Sequence, residues 1–373
     1  MSSSNGTAQQ MRAFRAEDGA REAQLQTVNV PQIGPQDVLI KVVSVGLSPG
    51  PFTLLAQGRL QHLPSTFGHE VSGVVAEIGH LVRNVSVNQR VYLYPNASCG
   101  ACKYCSSSRD QMCPEAGIIG FSGFGAKMAM PVFEKYHDGG LADYIRAPYW
   151  LVDVLPDNVS FDVGAKLHEV ANAARVLKVA ELPPGATVVI TAPTGNMGTA
   201  CLKLARYFGI SHLILVGRST ERLEAVKKLT DVKCDVIGTD KLGEDWMTKR
   251  SLVQRIRQLQ PQGVDSIIDF MPHGADVYQV IYALSTHGSF VHMGANMSIL
   301  PVPLLVTMVN CWRIIGTRNH SRADVKDVLG WLQEGRIIID DLITHRYKLD
   351  DIKDALKMLT ERHEPAWMLI VNP

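Results

Sequence analysis

Several things this chain lacks narrow it before any motif is considered. Its 37 Lys and Arg offset 36 Asp and Glu, so the formal charge is only +1 and no run of one sign stands out. That balance argues against a nucleic-acid or anionic-membrane partner. No apolar stretch approaches the ~18 residues that cross a bilayer. Met1 to Gln10 is polar and has no apolar secretory region. The expectation is a soluble, cytoplasmic protein. Internal repeats and low-complexity tracts are also missing. At 373 residues the chain has room for two domains, each with its own core.

Cysteine is present but clustered. Four of seven lie within a short stretch, Cys99-Gly-Ala-Cys102-Lys-Tyr-Cys105 and then Cys113. Four thiolates on one loop can close a tetrahedral shell around a single structural zinc, which leaves no open position for catalysis. Two disulfides or an iron–sulfur centre would use the same residues, but nothing marks the chain as secreted. Cys201, Cys234 and Cys311 stand alone in apolar surroundings and read as small buried hydrophobes.

The first ten residues read as a disordered tail. From Met11 to about Tyr149, short β-rich runs are broken by Gly and Pro. After about Ala165 strand, turn and helix alternate, which predicts a parallel sheet covered by helices. Six strands are expected there, at 187–191, 212–217, 235–238, 266–270, 289–294 and 313–317. Helical periodicity covers Thr199 to Phe208, and Leu349 to Leu359 near the end.

The first of the six strands runs into Ala192-Pro-Thr194-Gly195-Asn196-Met197-Gly198 and then a helix. Such a turn lets backbone approach a pyrophosphate at Gly195 and packs closely at Gly198, with a helix N-terminus facing the negative charge. Ala192 stands where the first Gly of the usual fingerprint would be. After the second strand an acidic residue would bind the ribose hydroxyls of NAD, but here Arg218 and Ser219 follow Gly217. A guanidinium fork suits a 2′-phosphate, which predicts NADPH. Arg218 stacked on the adenine or simply solvated is the alternative.

With these features together, the chain resembles the zinc-type medium-chain dehydrogenase/reductase family, the alcohol dehydrogenases. The match rests on Gly68-His69-Glu70-Val-Ser-Gly73, the four-Cys lobe, Gly139-Gly140-Leu-Ala-Asp-Tyr144, the Gly195/Gly198 turn and Arg313-Ile-Ile-Gly316. The resemblance implies an α/β architecture. A doubly wound Rossmann domain at 170–318 is clasped by a GroES-like β-rich catalytic domain at 11–169 and 319–373, with the zinc lobe at 95–115. It implies an active-site cleft between the two and a homodimer paired near Ile299 to Val306. It also places Asn172 near the nicotinamide and the Gly294-Ala295 backbone at its carboxamide.

The family's catalytic zinc is usually held by a Cys in a G-x-C-x-[ST]-D stretch, by the His of the GHE motif and by a third ligand before the cofactor domain. The matching stretch here is Gly46-Leu-Ser48-Pro-Gly50-Pro51, so serine replaces the thiolate and proline the orienting carboxylate. The third position falls at His168, or at Glu169 if the register slips by one. One expectation is a cleft without catalytic zinc, in which Ser48, His69 and His168 donate protons and Glu70 orients. That chemistry suits an NADPH-dependent reductase of an activated C=C or C=N, an enone or iminium. The alternative is a zinc-dependent alcohol dehydrogenase or carbonyl reductase using His69, His168 and Glu70 as ligands. Further alternatives are an inactive nucleotide-binding relic and histidines with only structural hydrogen bonds. The loop Ile119 to Lys135, rich in Gly and Met, is expected to help line the substrate site.

Overall fold

The computed structural model describes residues 9–60, 62–123, 129–362 and 364–373. Most of the expected tail lies outside the described residues, and strand pairing already begins at Gln10. The Gly- and Met-rich stretch is described only outside 124–128.

The chain divides into two units. One comprises residues up to His168 with 321–323 and 343–373, and the other comprises 169–320 with 324–342. The first is organised around the strand Asp37–Leu47, whose β-branched run is buried along nearly its whole length. Pro35 and Pro49 bracket this run and stop it from extending. It pairs antiparallel with Glu70–Ile78, in a register that sets Gly46 opposite Glu70. Tyr144–Pro148 and Met368–Asn372 also pair with it antiparallel. Strands from both ends of the chain therefore build one sheet.

The second unit is a six-stranded parallel sheet. Its spatial order is Lys233–Gly238, His212–Gly217, Thr187–Thr191, Val264–Asp269, Leu284–His292 and Arg313–Gly316. This is the doubly wound arrangement, with the strand order reversing beside Thr187–Thr191. The three central strands, Thr187–Thr191, His212–Gly217 and Val264–Asp269, are buried along nearly their whole length, as expected in the middle of a covered parallel sheet. The fifth strand starts earlier than the pattern suggested, because the pairing at Leu284 precedes a register shift before the ladder resumes at Ser289.

One expected boundary moves. Residues 324–342 cluster with the nucleotide unit, whereas 319–373 was expected to lie wholly in the catalytic unit. The cause is local packing of the helix Arg322–Gln333. Lys178 Nζ reaches Asp324 and Asp327 at 2.6 and 2.7 Å, and Trp331 packs on Tyr207 with ring centroids 4.4 Å apart.

Candidate functional site

In the nucleotide unit, Thr187–Thr191 leads through Ala192, Pro193 and Thr194 to Gly195, which caps the helix Asn196–Leu204. Ala192 adopts the left-handed region at φ +49°, so alanine holds a conformation usually given to glycine. A Cβ at Gly198 would lie 2.6 Å from Pro193 Cα, which explains why helix and turn need glycine there. A Cβ at Gly195 would meet only the Ala192 carbonyl oxygen at 3.7 Å, so that face of the backbone is open to a phosphate. Thr194, Asn196 and Met197 occupy the same turn.

Asn172 lies on the helix Leu167–Ala180 and is buried, yet its Oδ1 has no hydrogen-bond partner among the described residues. A buried acceptor without a donor is costly unless a ligand satisfies it. The residues of this unit therefore fit a dinucleotide. Arg218 is exposed just beyond His212–Gly217, and Ser219 Oγ accepts from Arg222 N at 3.4 Å to cap the next helix. Gly294 and Ala295 follow the fifth strand, where Ala295 is left-handed at φ +56°.

Sequence reasoning missed a polar chain at the carboxyl ends of these strands. Thr191 Oγ1 donates to buried Asp269, whose other oxygen lies 2.6 Å from His292 Nδ1. His292 Nε2 in turn accepts from Asn296 N at 3.4 Å, so the chain braces the loop that carries Gly294 and Ala295. Asp and His at the ends of predicted strands were the available signal.

In the catalytic unit, His69 and His168 are both buried and meet edge to face, with centroids 4.9 Å apart. Phe121 stacks on His69 at 5.3 Å. His168, not Glu169, thus takes the place beside His69. Glu169 falls in the nucleotide unit, where its Oε1 accepts from Asn196 Nδ2 at 3.3 Å. Ser48 is half-buried just before the helix Gly50–Ala56. Glu70 is fully buried, with Oε2 2.5 Å from Lys166 Nζ and Oε1 3.5 Å from His69 Nε2. Lys166, also fully buried, was not singled out from the sequence.

These residues do not fit a catalytic metal as placed. The carboxylate needed as third ligand is already bound to an ammonium, and Ser48 offers a neutral hydroxyl where a thiolate is expected. Among the described residues, the one group of His, Cys, Asp and Glu whose ligand atoms converge for a metal is Cys99, Cys102, Cys105 and Cys113.

That cluster does fit zinc. Its four Sγ atoms lie within 4.8 Å of one another, with separations of 3.6, 3.6 and 3.9 Å for three pairs. Zinc–thiolate bonds of ~2.3 Å require tetrahedral edges of about 3.8 Å. All seven cysteines are free, so the disulfide alternative is not realised. Cys201 and Cys234 are buried as expected and burial raises both thiols, but Cys311 is exposed, contrary to expectation. Within the cluster, burial pushes the Cys113 thiol up to about 12, and the Cys105 backbone N–H draws Cys102 down to about 7. Zinc binding near pH 7 is therefore expected to displace protons, Cys113 foremost, and to weaken as pH falls because protons compete for the thiolates. Calorimetric titration of the metal-free protein in buffers of different ionisation enthalpy checks this. An affinity unchanged between about pH 8 and pH 6 would sink the assignment.

Comparison with known proteins agrees with this layout. Residues 34–157 match the family model described as the alcohol dehydrogenase GroES-like domain, and residues 197–334 match the one described as zinc-binding dehydrogenase. An Aspergillus clavatus protein named as a probable D-xylulose reductase A is 26% identical over 91% of each chain. The L-idonate 5-dehydrogenase of Vitis vinifera is also 26% identical, over 91% of this chain and 89% of its own. Among solved structures, a cobalt- and zinc-bound thermostable alcohol dehydrogenase from Pyrobaculum aerophilum superposes with a TM-score of 0.81. That match spans 98% of this chain and 100% of the other at 23% identity, a likeness of fold.

Proposed function

The chain belongs to the zinc-type medium-chain dehydrogenase/reductase family of oxidoreductases, and on that premise we propose that it interconverts a small alcohol or polyol with its ketone, using NADPH and NADP. The observation that carries this reading is the pair of family matches, one to each unit, joined to relatives of near-equal length named for sugar and polyol chemistry. Those names lend no support to the enone or iminium substrate expected from the sequence. Membership of an oxidoreductase family likewise displaces the inactive relic.

When bound, the cofactor exchanges a hydride at the nicotinamide C4. The chain's own residues do the remainder. The open backbone at Gly195 and the helix N-terminus at Asn196 receive the pyrophosphate. Arg218 binds the 2′-phosphate, with the Ser219 hydroxyl as a second donor. Asn172 Oδ1 accepts from the nicotinamide end, and Gly294 and Ala295 present backbone to its carboxamide. In oxidation, the substrate hydroxyl loses its proton to His69 as its carbon loses hydride. In reduction, His69 returns that proton to the oxygen. Ser48 and His168 flank this step as hydrogen-bond partners of the substrate oxygen, and Glu70 orients His69.

Absorbance of NADPH at 340 nm tests the reading directly. Reduction of ketoses such as D-xylulose with NADPH, or oxidation of polyols such as sorbitol with NADP, is the expected result. Turnover of enones alone, with no alcohol or ketone accepted, would refute it.

A homodimer accompanies this reading. Among the described residues, the edge strand Arg313–Gly316 has a partner strand on one side of its backbone only, and Ile314 is about half exposed. The neighbouring helix Leu304–Val309 has no buried residue, and Leu304, Leu305, Met308 and Val309 are all exposed. A second copy placed by a twofold axis would cover this face with its own counterpart. Leu305→Asp with Met308→Asp is expected to give a monomer by light scattering. A wild-type chain that is already monomeric would overturn the pairing.

A further inference from the structure

We propose that Lys166 is the positioning residue of the proton-handling centre, and that its ammonium braces the segments a catalytic zinc would otherwise tie together. Two contacts and one position in the sequence carry this. Lys166 Nζ lies 2.5 Å from Glu70 Oε2, on the residue that follows His69. The same Nζ donates to the Leu47 carbonyl oxygen at 3.3 Å, in the segment where the family places its first ligand. Lys166 itself stands two residues before His168. One cation therefore reaches all three stretches of chain that would supply a metal's ligands.

The surroundings are built for the pair. Both side chains are fully buried, where an ion survives only with a partner. Gly46 faces Glu70 across the sheet, and a Cβ there would lie 2.1 Å from Glu70 Oε2 and 2.7 Å from Lys166 Cδ. With Oε2 held by the ammonium, Glu70 Oε1 has no hydrogen-bond partner among the described residues and lies 3.5 Å from His69 Nε2. The carboxylate is thereby aimed at the imidazole. A divalent ion using Glu70 would have to displace the ammonium or sit beside it against like-charge repulsion. The centre thus assembles without a catalytic metal.

This inference rests on His69 as the proton-handling residue of the proposed function, but its test involves no substrate. Full-length protein equilibrated with excess zinc and then dialysed is expected to hold one zinc per chain, in the four-Cys cluster. Lys166→Met frees Glu70, so cobalt added to the zinc-loaded variant is expected to give the visible absorption of a second site. Wild type and Lys166→Arg should give none. The ring-nitrogen NMR resonances of His69 are expected to shift in Lys166→Met and to return to the wild-type pattern in Lys166→Arg. Two zinc ions per wild-type chain would overturn the proposal. So would a folded Lys166→Met that takes up no second ion or leaves the His69 resonances unmoved. If Lys166→Met does not fold, the wild-type zinc count and the Lys166→Arg spectrum decide. A protein inactive on every alcohol and ketone would refute the proposed function and leave these results standing.

Discussion

Gly46→Ala is expected to destabilise the catalytic unit by about 3–5 kcal/mol, the range seen when a buried ion pair is broken. Ordinary overpacking costs less, about 1–3 kcal/mol. The larger figure applies because the new methyl would fall 2.1 Å from a carboxylate oxygen, 2.7 Å from the lysine stem and 3.0 Å from Glu70 Cβ. Neither side chain has solvent to retreat into, since both are fully buried. In a melt of zinc-replete protein the transition of this unit should fall by roughly 10 °C, taking about 2–4 °C per kcal/mol for a unit of this size. The effect should shrink when Glu70 is already alanine, because the clash and the broken pair then no longer coincide. A melt within about 1 °C of wild type would show that the pair yields easily.

The second large effect concerns the cofactor. Arg218→Asp is expected to weaken NADPH binding by about 10- to 150-fold, the equivalent of one charge-assisted hydrogen bond of ~1.5–3 kcal/mol. NADH should bind more tightly at the same time, since a carboxylate at the end of the second strand accepts from the ribose hydroxyls. Arg218 is exposed, so its loss should leave the fold unchanged and the effect should appear in binding alone. Ser219 is a less direct probe, because its Oγ already caps the following helix and its removal would mix helix stability with phosphate contact. Fluorescence titration with both cofactors gives the ratio. If the two dissociation constants move together, Arg218 does not read the 2′-phosphate.

The nucleotide unit was readable from the sequence because its signals are local. The strands and helices alternate at short intervals along the chain, and the Gly195/Gly198 turn follows the first strand directly. The tetrad of cysteines was readable for the same reason, since all four lie within one short stretch of chain. Lys166 was not, because its partner Glu70 is 96 residues away and only the folded register brings them together. A lysine inside Val163-Gly-Ala-Lys166-Leu167 was a signal in retrospect, as an isolated charge among residues that all became buried. The choice between His168 and Glu169 also needed the fold, because adjacent helical residues point about 100° apart and only one can meet His69. Cys311 misled because its apolar neighbours Val309 and Trp312 suggested a core, whereas Val309 belongs to an exposed face. Apolar composition alone does not distinguish a core from an uncovered surface.

The sheet of the catalytic unit has a consequence for synthesis. Met368–Asn372 lies between Asp37–Leu47 and Ile343–Lys348, and Asn372 Nδ2 donates to the Val43 carbonyl oxygen 329 residues earlier in the chain. The nucleotide unit needs nothing beyond residue 342 to be complete. On the ribosome it can therefore close first, while the strands made earliest wait with an apolar edge exposed. During that interval the stretch of Asp37–Leu47 that Met368–Asn372 later covers is open to chaperones and to misplaced strands.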